Sequence, residues 1–322
     1  MVWRNPIKCF GRFINPHIRD IKRGLLDLML WRFGYYAESQ TRRPPPENFQ
    51  YPAQIPPHQR DLPSAVWIGH STYLIQVDGL SILTDPLFSN YCSPIPFQIL
   101  KRKHTPAIAI SKLPPIDIVL ISHNHYDHLD EHSVSSLYQH NPHILWIVPR
   151  GVRRWFQNRG IERVIELDWG ESCQASDRCR VTATPSQHFS GRHLWDKNRT
   201  LWCGFVVETP EKTFYFVGDT GYNGIDFKEI GQRWDRIDLS LIPIGTYVPE
   251  KFMKPVHISP SEAVQIHCDV RSKLSLGMHW KTFRLSEEPL DLPPYDLYLA
   301  MQKSGCPHES FLPIEPGRTI NW

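Results

Sequence analysis

A chain of 322 residues with 41% apolar and 21% charged side chains can bury a sizeable core and falls outside the disordered and low-complexity classes. It holds no run of about eighteen apolar residues, so no membrane-spanning helix is expected. Its net charge of +3 is unevenly placed, with ten Lys or Arg against four Asp or Glu in residues 1–60, and 26 against 29 in residues 61–322. No basic stripe with interleaved aromatics runs through 61–322, which argues against nucleic acid as a partner. The seven cysteines are odd in number and widely spread, the pattern of reduced thiols in a cytoplasmic protein. The first ten residues lack an apolar core and a small-residue cleavage site, so no secretory signal is expected.

In chain order, residues 14–33 set Ile14, Ile18, Ile21, Leu25 and Leu28 at helical spacing, with Arg19, Lys22, Arg23 and Arg32 among them. A basic helix ending on Trp31 and Phe33 is expected either to lie at a membrane interface or to pack on its own protein. Gly24 weakens it in both cases. Six prolines within 44–57 exclude a regular helix or central strand, and an extended connector is expected there. The chain accordingly divides into a basic amphipathic segment with its Pro-rich connector (1–60) and a catalytic domain (61–322).

From residue 64 short apolar runs take over. Strands are predicted over 65–68, 72–77 and 80–84, with Asp78-Gly79 as a hairpin turn. Further strands are predicted over 116–122, 143–148, 180–185, 205–209, 213–218 and 238–244. Helices are predicted over 130–140, 149–159 and 259–268; in the last, Ser259 caps, Pro260 takes the first turn and Glu262 follows three residues after the cap. Alternation of strands and helices in both halves indicates a layered α/β protein with a sheet-rich core.

The stretch 120–130, LISHNHYDHLD, ends a buried strand on His123, His125, Asp127 and His128. Histidines at i and i+2 in an extended turn point to one side and can share one ion. Asp127 and His128 follow at a bend and can reach a second. Imidazole suits zinc, and a carboxylate on the second site suits zinc, iron or manganese. Two ions need more ligands than one loop supplies, and His188, Asp219 and His279 each follow a later strand-like run (VTATPSQ, TFYFVG, KLSLGM). Gly218 and Gly221 in GDTGY are expected to turn the backbone sharply around Asp219. No GxSxG nucleophile elbow is present.

HNHYDH resembles the HxHxDH signature of the metallo-β-lactamase family, whose members share a four-layer αβ/βα sandwich and a dinuclear metal site. Within it, WIGHSTYLI, ILTDPLFS, LPPIDIVLISHNHYDHLD, VIELDWGE, TPSQHFSGR, VGDTGYNG, IPIGTYVPEKFMKPVHISPSEAVQIHCDV and GMHWKTF resemble the N-acyl-phosphatidylethanolamine-hydrolysing phospholipases D, over roughly 64–284. The resemblance implies two Zn2+ per chain, with other divalent transition metals also acceptable. It places His123, His125 and His188 on one ion and Asp127, His128 and His279 on the other. Asp219 then bridges both and orients the attacking water.

Catalysis is expected to rest on Asp127, Asp219 and His257, with His257 serving the phosphate or the leaving oxygen. His70, Tyr126 and His257 are the candidate substrate contacts, His70 also being open to a supporting role. Asp85, at the end of strand 80–84, is expected to orient a ligand through a hydrogen bond. The implied activity is phospholipase D cleavage of N-acyl-phosphatidylethanolamine to N-acylethanolamine and phosphatidic acid. Peripheral membrane contact would run through residues 1–43, and a homodimer is compatible with the reading. The alternative is a cytoplasmic metallohydrolase of a small phosphorylated or lactone substrate, for which the first sixty residues are only structural.

Overall fold

The computed structural model describes residues 8–18, 35, 44–193 and 195–322. The predicted helix over 14–33 falls largely outside them, including Trp31, Phe33 and the cations at 19, 22, 23 and 32. Its first five residues, 14–18, are not helical. Asn15 precedes Pro16, which disfavours helical backbone at Asn15, and its side chain is engaged elsewhere.

A short hairpin of β1 (Lys8–Cys9) and β2 (Arg12–Phe13) comes first. The first half then supplies β3 (Ser64–Gly69), β4 (Thr72–Val77), β5 (Leu80–Thr84), β6 (Ile118–Leu120), β7 (Leu145–Pro149) and β8 (Val164–Leu167). Helices α1 (Glu131–His140) and α2 (Arg153–Gln157) lie among them. The second half supplies β9 (Ser172–Ser176), β10 (Cys179–Thr184), β11 (Gly204–Glu208), β12 (Thr213–Phe216), β13 (Ile237–Pro243) and β14 (Ser272–Met278). Short strands β15 (Phe311–Leu312) and β16 (Thr319–Asn321) close the chain. Its helices are α3 (Asp226–Arg233), α4 (Glu250–Met253), α5 (Pro260–Asp269) and α6 (Pro293–Ser304).

Two seven-stranded sheets result, ordered β16-β3-β4-β5-β6-β7-β8 and β15-β14-β13-β12-β11-β10-β9. Each joins an antiparallel meander to a run of parallel strands. Alternation along each strand assigns the faces. Ala65, Trp67, Tyr73, Ile75 and Val77 enter the core between the sheets, while Val66, Ile68 and Leu74 join Val134, Leu137 and Phe156 of α1 and α2 in an outer layer. On the other side α3, α5 and α6 contribute Phe227, Ile230, Ala263, Ile266, Leu297 and Met301. The molecule is therefore a helix–sheet–sheet–helix sandwich, as the resemblance implied.

Local chemistry explains several elements. Val77 pairs with Leu80 across the β4–β5 turn, where Asp78 and Gly79 both take positive φ, +50° and +77°, as a type I′ hairpin requires. At α5 the Ser259 hydroxyl accepts from the Glu262 amide and the Glu262 carboxylate accepts from the Ser259 amide, a capping box worth about 1 kcal/mol. The helix predicted over 149–159 contracts to α2, because Pro149 still belongs to β7 and Gly151 at φ +92° breaks the path between them.

Candidate metal centre

Each candidate ligand follows the end of a strand. His70 sits in the β3–β4 turn at φ +54°, Asp85 follows β5, and the His123–His128 loop follows β6. His188, Asp219 and His279 follow β10, β12 and β14. Two glycines allow this crowding. A Cβ on Gly245 would stand 2.2 Å from the His279 carbonyl oxygen, and one on Gly218, itself at φ +67°, would stand 2.9 Å from Ser122 Cβ. Gly221 differs from expectation: its φ is not positive, and it is needed because a Cβ would meet Gln187 Nε2 and the Pro255 carbonyl oxygen, both at 2.7 Å.

The seven candidate ligands come together in two adjoining groups. His123 Nε2 is 2.8 Å and His188 Nε2 3.3 Å from His125 Nδ1. In the other group Asp127 Oδ2 lies 3.4 Å from His128 Nε2, 3.5 Å from His279 Nε2 and 3.1 Å from His70 Nε2. Asp219 Oδ2 stands between them, 3.2 Å from His128 Nε2, 3.1 Å from His279 Nε2 and 3.8 Å from His188 Nε2.

The outward nitrogens are fixed from behind. His128 Nδ1 donates to Asp85 Oδ2 at 2.5 Å, and Asp85 Oδ1 accepts the Ser122 amide at 2.7 Å. The single Ser122 hydroxyl proton goes to Asp85 Oδ2 (2.5 Å), so His123 Nδ1 donates to the Ser122 oxygen at 2.9 Å. His188 Nδ1 donates to the Val256 carbonyl at 2.8 Å, and His279 Nδ1 meets Thr246 Oγ1 at 3.1 Å. This is the support that metal-binding imidazoles require.

Electrostatics point the same way. Burial drives His123 well below its ordinary range, His125 to about 3 and His188 to about 4, so three neutral imidazoles face one another. Burial also opposes charge on His128 and His279, but the carboxylates outweigh it: Asp219, Asp127 and Asp85 hold His128 well above its usual range, and Asp219 with Asp127 lifts His279 to about 9. Asp127 and Asp219 are desolvated too, yet chiefly His128 holds both well below the carboxylate range. His128 Nε2, His279 Nε2 and Asp219 Oδ1 are buried with no hydrogen-bond partner, although buried polar atoms are ordinarily paired. Borderline imidazole and hard carboxylate donors converging around such orphaned atoms fit divalent transition metals.

The groups form the floor of a cleft of about 310 Å³. His125, Asp127, His188, Asp219 and His257 line it, with Tyr126 and an apolar wall of Cys92, Phe189, Met253 and Leu285. Tyr126 both lines the cleft and packs, its ring lying 3.9 Å from the Arg192 guanidinium carbon. His257 faces the cleft with Nδ1 3.8 Å from Asp219 Oδ2, and burial holds it well below the ordinary histidine range. His70 is only 1% exposed and stands behind Asp127, away from the cleft wall, its ring 4.1 Å from that of His279. It therefore bears on the cleft through Asp127. Sequence reasoning passed over Ser122, Thr246 and the apolar wall. Thr246 was readable, because it too follows a strand end, after β13.

The β-lactamase superfamily domain model matches residues 81–280, which contain all seven candidate ligands. The N-acyl-phosphatidylethanolamine-hydrolyzing phospholipase D 1 of Caenorhabditis elegans is 40% identical over 240 residues, 72% of this chain and 67% of that protein. The mitochondrial N-acyl-phosphatidylethanolamine-hydrolyzing phospholipase D of Saccharomyces cerevisiae is 37% identical over 258 residues, 79% of this chain and 54% of the yeast protein. This chain thus spans between about half and two thirds of the length of these relatives. Among solved structures, Igni18, a metallo hydrolase from the hyperthermophilic archaeon Ignicoccus hospitalis KIN4/I, superposes with a TM-score of 0.60 at 20% identity, over 81% of this chain and 98% of that one. At that identity the likeness speaks for the fold.

Proposed function

Because the chain belongs to the metallo-β-lactamase superfamily of metal-dependent hydrolases, we propose that it is a dinuclear phosphodiesterase of phospholipase D type. Its substrate would be N-acyl-phosphatidylethanolamine, cleaved to N-acylethanolamine and phosphatidic acid. The observation that carries the reading is the convergence of the seven candidate ligands with an apolar wall beside them, in a chain 40% identical over 240 residues to an enzyme of that name.

His123, His125 and His188 would hold one zinc ion and Asp127, His128 and His279 the other, with Asp219 shared. Two cations so held lower the pKa of water and stabilise charge on phosphoryl oxygens. The chain's own residues do the rest. Asp219 orients the attacking water along the floor of the cleft, and Asp85 and Ser122 keep His128 and His123 facing inward. His257, across the cleft floor, donates its ring N–H to a phosphoryl oxygen; neutral at rest, it takes up the proton that the attacking water releases and passes it to the departing N-acylethanolamine oxygen. Phe189, Met253 and Leu285 take apolar parts of the substrate out of water, and Tyr126 forms part of the same rim.

A lipid substrate favours an enzyme that docks at the bilayer. The excess of cations in residues 1–60 would be attracted to anionic headgroups by up to about 1 kcal/mol each, over a Debye length.

The test is product analysis by mass spectrometry after incubation with vesicles containing N-acyl-phosphatidylethanolamine in water enriched in 18O. Phosphatidic acid and N-acylethanolamine are expected in equal amounts, with the label in the phosphate. Intact lipid alongside rapid hydrolysis of a small soluble phosphodiester or lactone would replace this reading with the small-substrate one.

A further inference from the structure

Two cysteines away from the metal centre, Cys268 and Cys306, lie beside one another in the structure. Cys268 lies in the last turn of α5, and Cys306 follows Gly305, whose left-handed φ of +73° ends α6. Both are free thiols, Cys268 exposed and Cys306 partly so. Their sulfurs stand 3.5 Å apart. Residues 38 positions apart in sequence meet here because α5 packs against α6, and Cys306 stands just past the end of α6. Cys306 is held in place by its own amide, which donates to Ser304 Oγ at 3.3 Å.

We propose that Cys268 and Cys306 form a reversible disulfide site, oxidised by a low-molecular-weight disulfide such as glutathione disulfide. One cysteine, as thiolate, attacks a sulfur of the oxidant, giving a mixed disulfide and one released thiolate, which takes up the proton. The second cysteine loses its proton and attacks the protein-bound sulfur, which forms the Cys268–Cys306 bond and expels the second small thiol. Two protein thiols lose two electrons and two protons, and one small disulfide becomes two thiols. Although Cys268 is exposed on one side, partial desolvation and the adjoining Cys306 sulfur push its thiol up to about 12, so thiolate is scarce at neutral pH and the exchange is slow.

The position gives the bond a consequence. It closes a loop that contains β14 and His279, so oxidation restricts the unfolded chain around a candidate ligand without touching the centre itself. A cross-link that fits the native geometry stabilises through that restriction.

The full-length protein is incubated with glutathione disulfide at mildly alkaline pH, denatured, alkylated and digested with trypsin. Cleavage at Arg271 and Lys303 leaves the two cysteines in separate peptides that only a disulfide joins. The joined pair is expected, with two fewer titratable thiols than the seven of the reduced chain and a melting temperature several degrees higher. Dithiothreitol should reverse these changes, and neither Cys268→Ser nor Cys306→Ser should show them. Seven thiols remaining, glutathione retained at either position, or a joined pair that forms with a loss of melting temperature would each overturn the proposal.

Discussion

Asp85 and His128 are both fully buried and meet at 2.5 Å through the Nδ1 of the histidine. The carboxylate fixes which ring nitrogen turns inward, and its other oxygen holds the backbone at Ser122. Replacing Asp85 with Asn removes the charge and leaves the shape. Loss of such a supporting partner costs about 10–100-fold in metal affinity. Competition with a chromophoric chelator should show that loss while the circular dichroism spectrum stays unchanged; equal affinity in the two proteins would reduce Asp85 to a packing role.

Of the two candidate carboxylates, Asp219 is the one within 4 Å of imidazoles from both groups. Elemental analysis of the purified protein should find close to two ions per chain, mainly zinc. Asp219→Asn should lose one of them, and turnover should fall by orders of magnitude. Full occupancy with normal turnover would assign the shared position to another residue.

His257 faces the cleft 3.8 Å from Asp219, near enough to His188 and Asp219 that the three could themselves hold an ion, so metal content separates a ligand role from a proton-transfer one. His257→Ala should lower kcat about 10²–10⁴-fold, the usual scale for proton transfer in the transition state. Metal content should hold at the wild-type level. A substrate whose leaving group needs no proton, such as a nitrophenyl phosphodiester, should lose much less; an equal loss on both substrates would make His257 a structural residue.

A pH effect is expected far from the centre. His267, 6% exposed on α5, meets Ser275 Oγ at 2.8 Å, and burial lowers it to about 4. Its folded pKa lies below the unfolded value, so the unfolded chain binds the extra proton first and stability falls as pH drops below about 6.5. By pH 5 the loss should be about 2 kcal/mol. Urea unfolding at pH 7 and pH 5 should show a wild-type difference that shrinks by that amount in His267→Gln. An undiminished difference would place the acid sensitivity elsewhere.

The candidate centre was legible because metal ligation restricts both residue type and position: His123, His125, Asp127 and His128 stand together, and the three later ligands follow strand-like runs. The outer helices were less so. In α3, DFKEIGQR carries Gly231 in its interior, which reads as a helix weakener. It is there because a Cβ would stand 2.0 Å from the Asp269 carbonyl oxygen of α5. α6 opens on Pro293 and Pro294, which read as breakers although proline suits a first turn. β9, SCQAS, is an edge strand whose alternating apolar residues, Cys173 and Ala175, are small and only half-buried, a weak signal in so short a run. His70 was expected as a substrate contact, but the β3–β4 turn sets it on Asp127, which screens it from the cleft.

The two sheets contribute unequally to one centre. His70, Asp85 and the loop 123–128 descend from the first, while His188, Asp219 and His279 descend from the second. A cation held by donors from both sheets would act as a rivet through the sandwich, resisting any sliding of one sheet over the other. Neither half carries a complete set of donors, so a chain severed between β8 and β9 would bind metal tightly only where its fragments reassociate. Metal, in that case, would report on the docking of the halves.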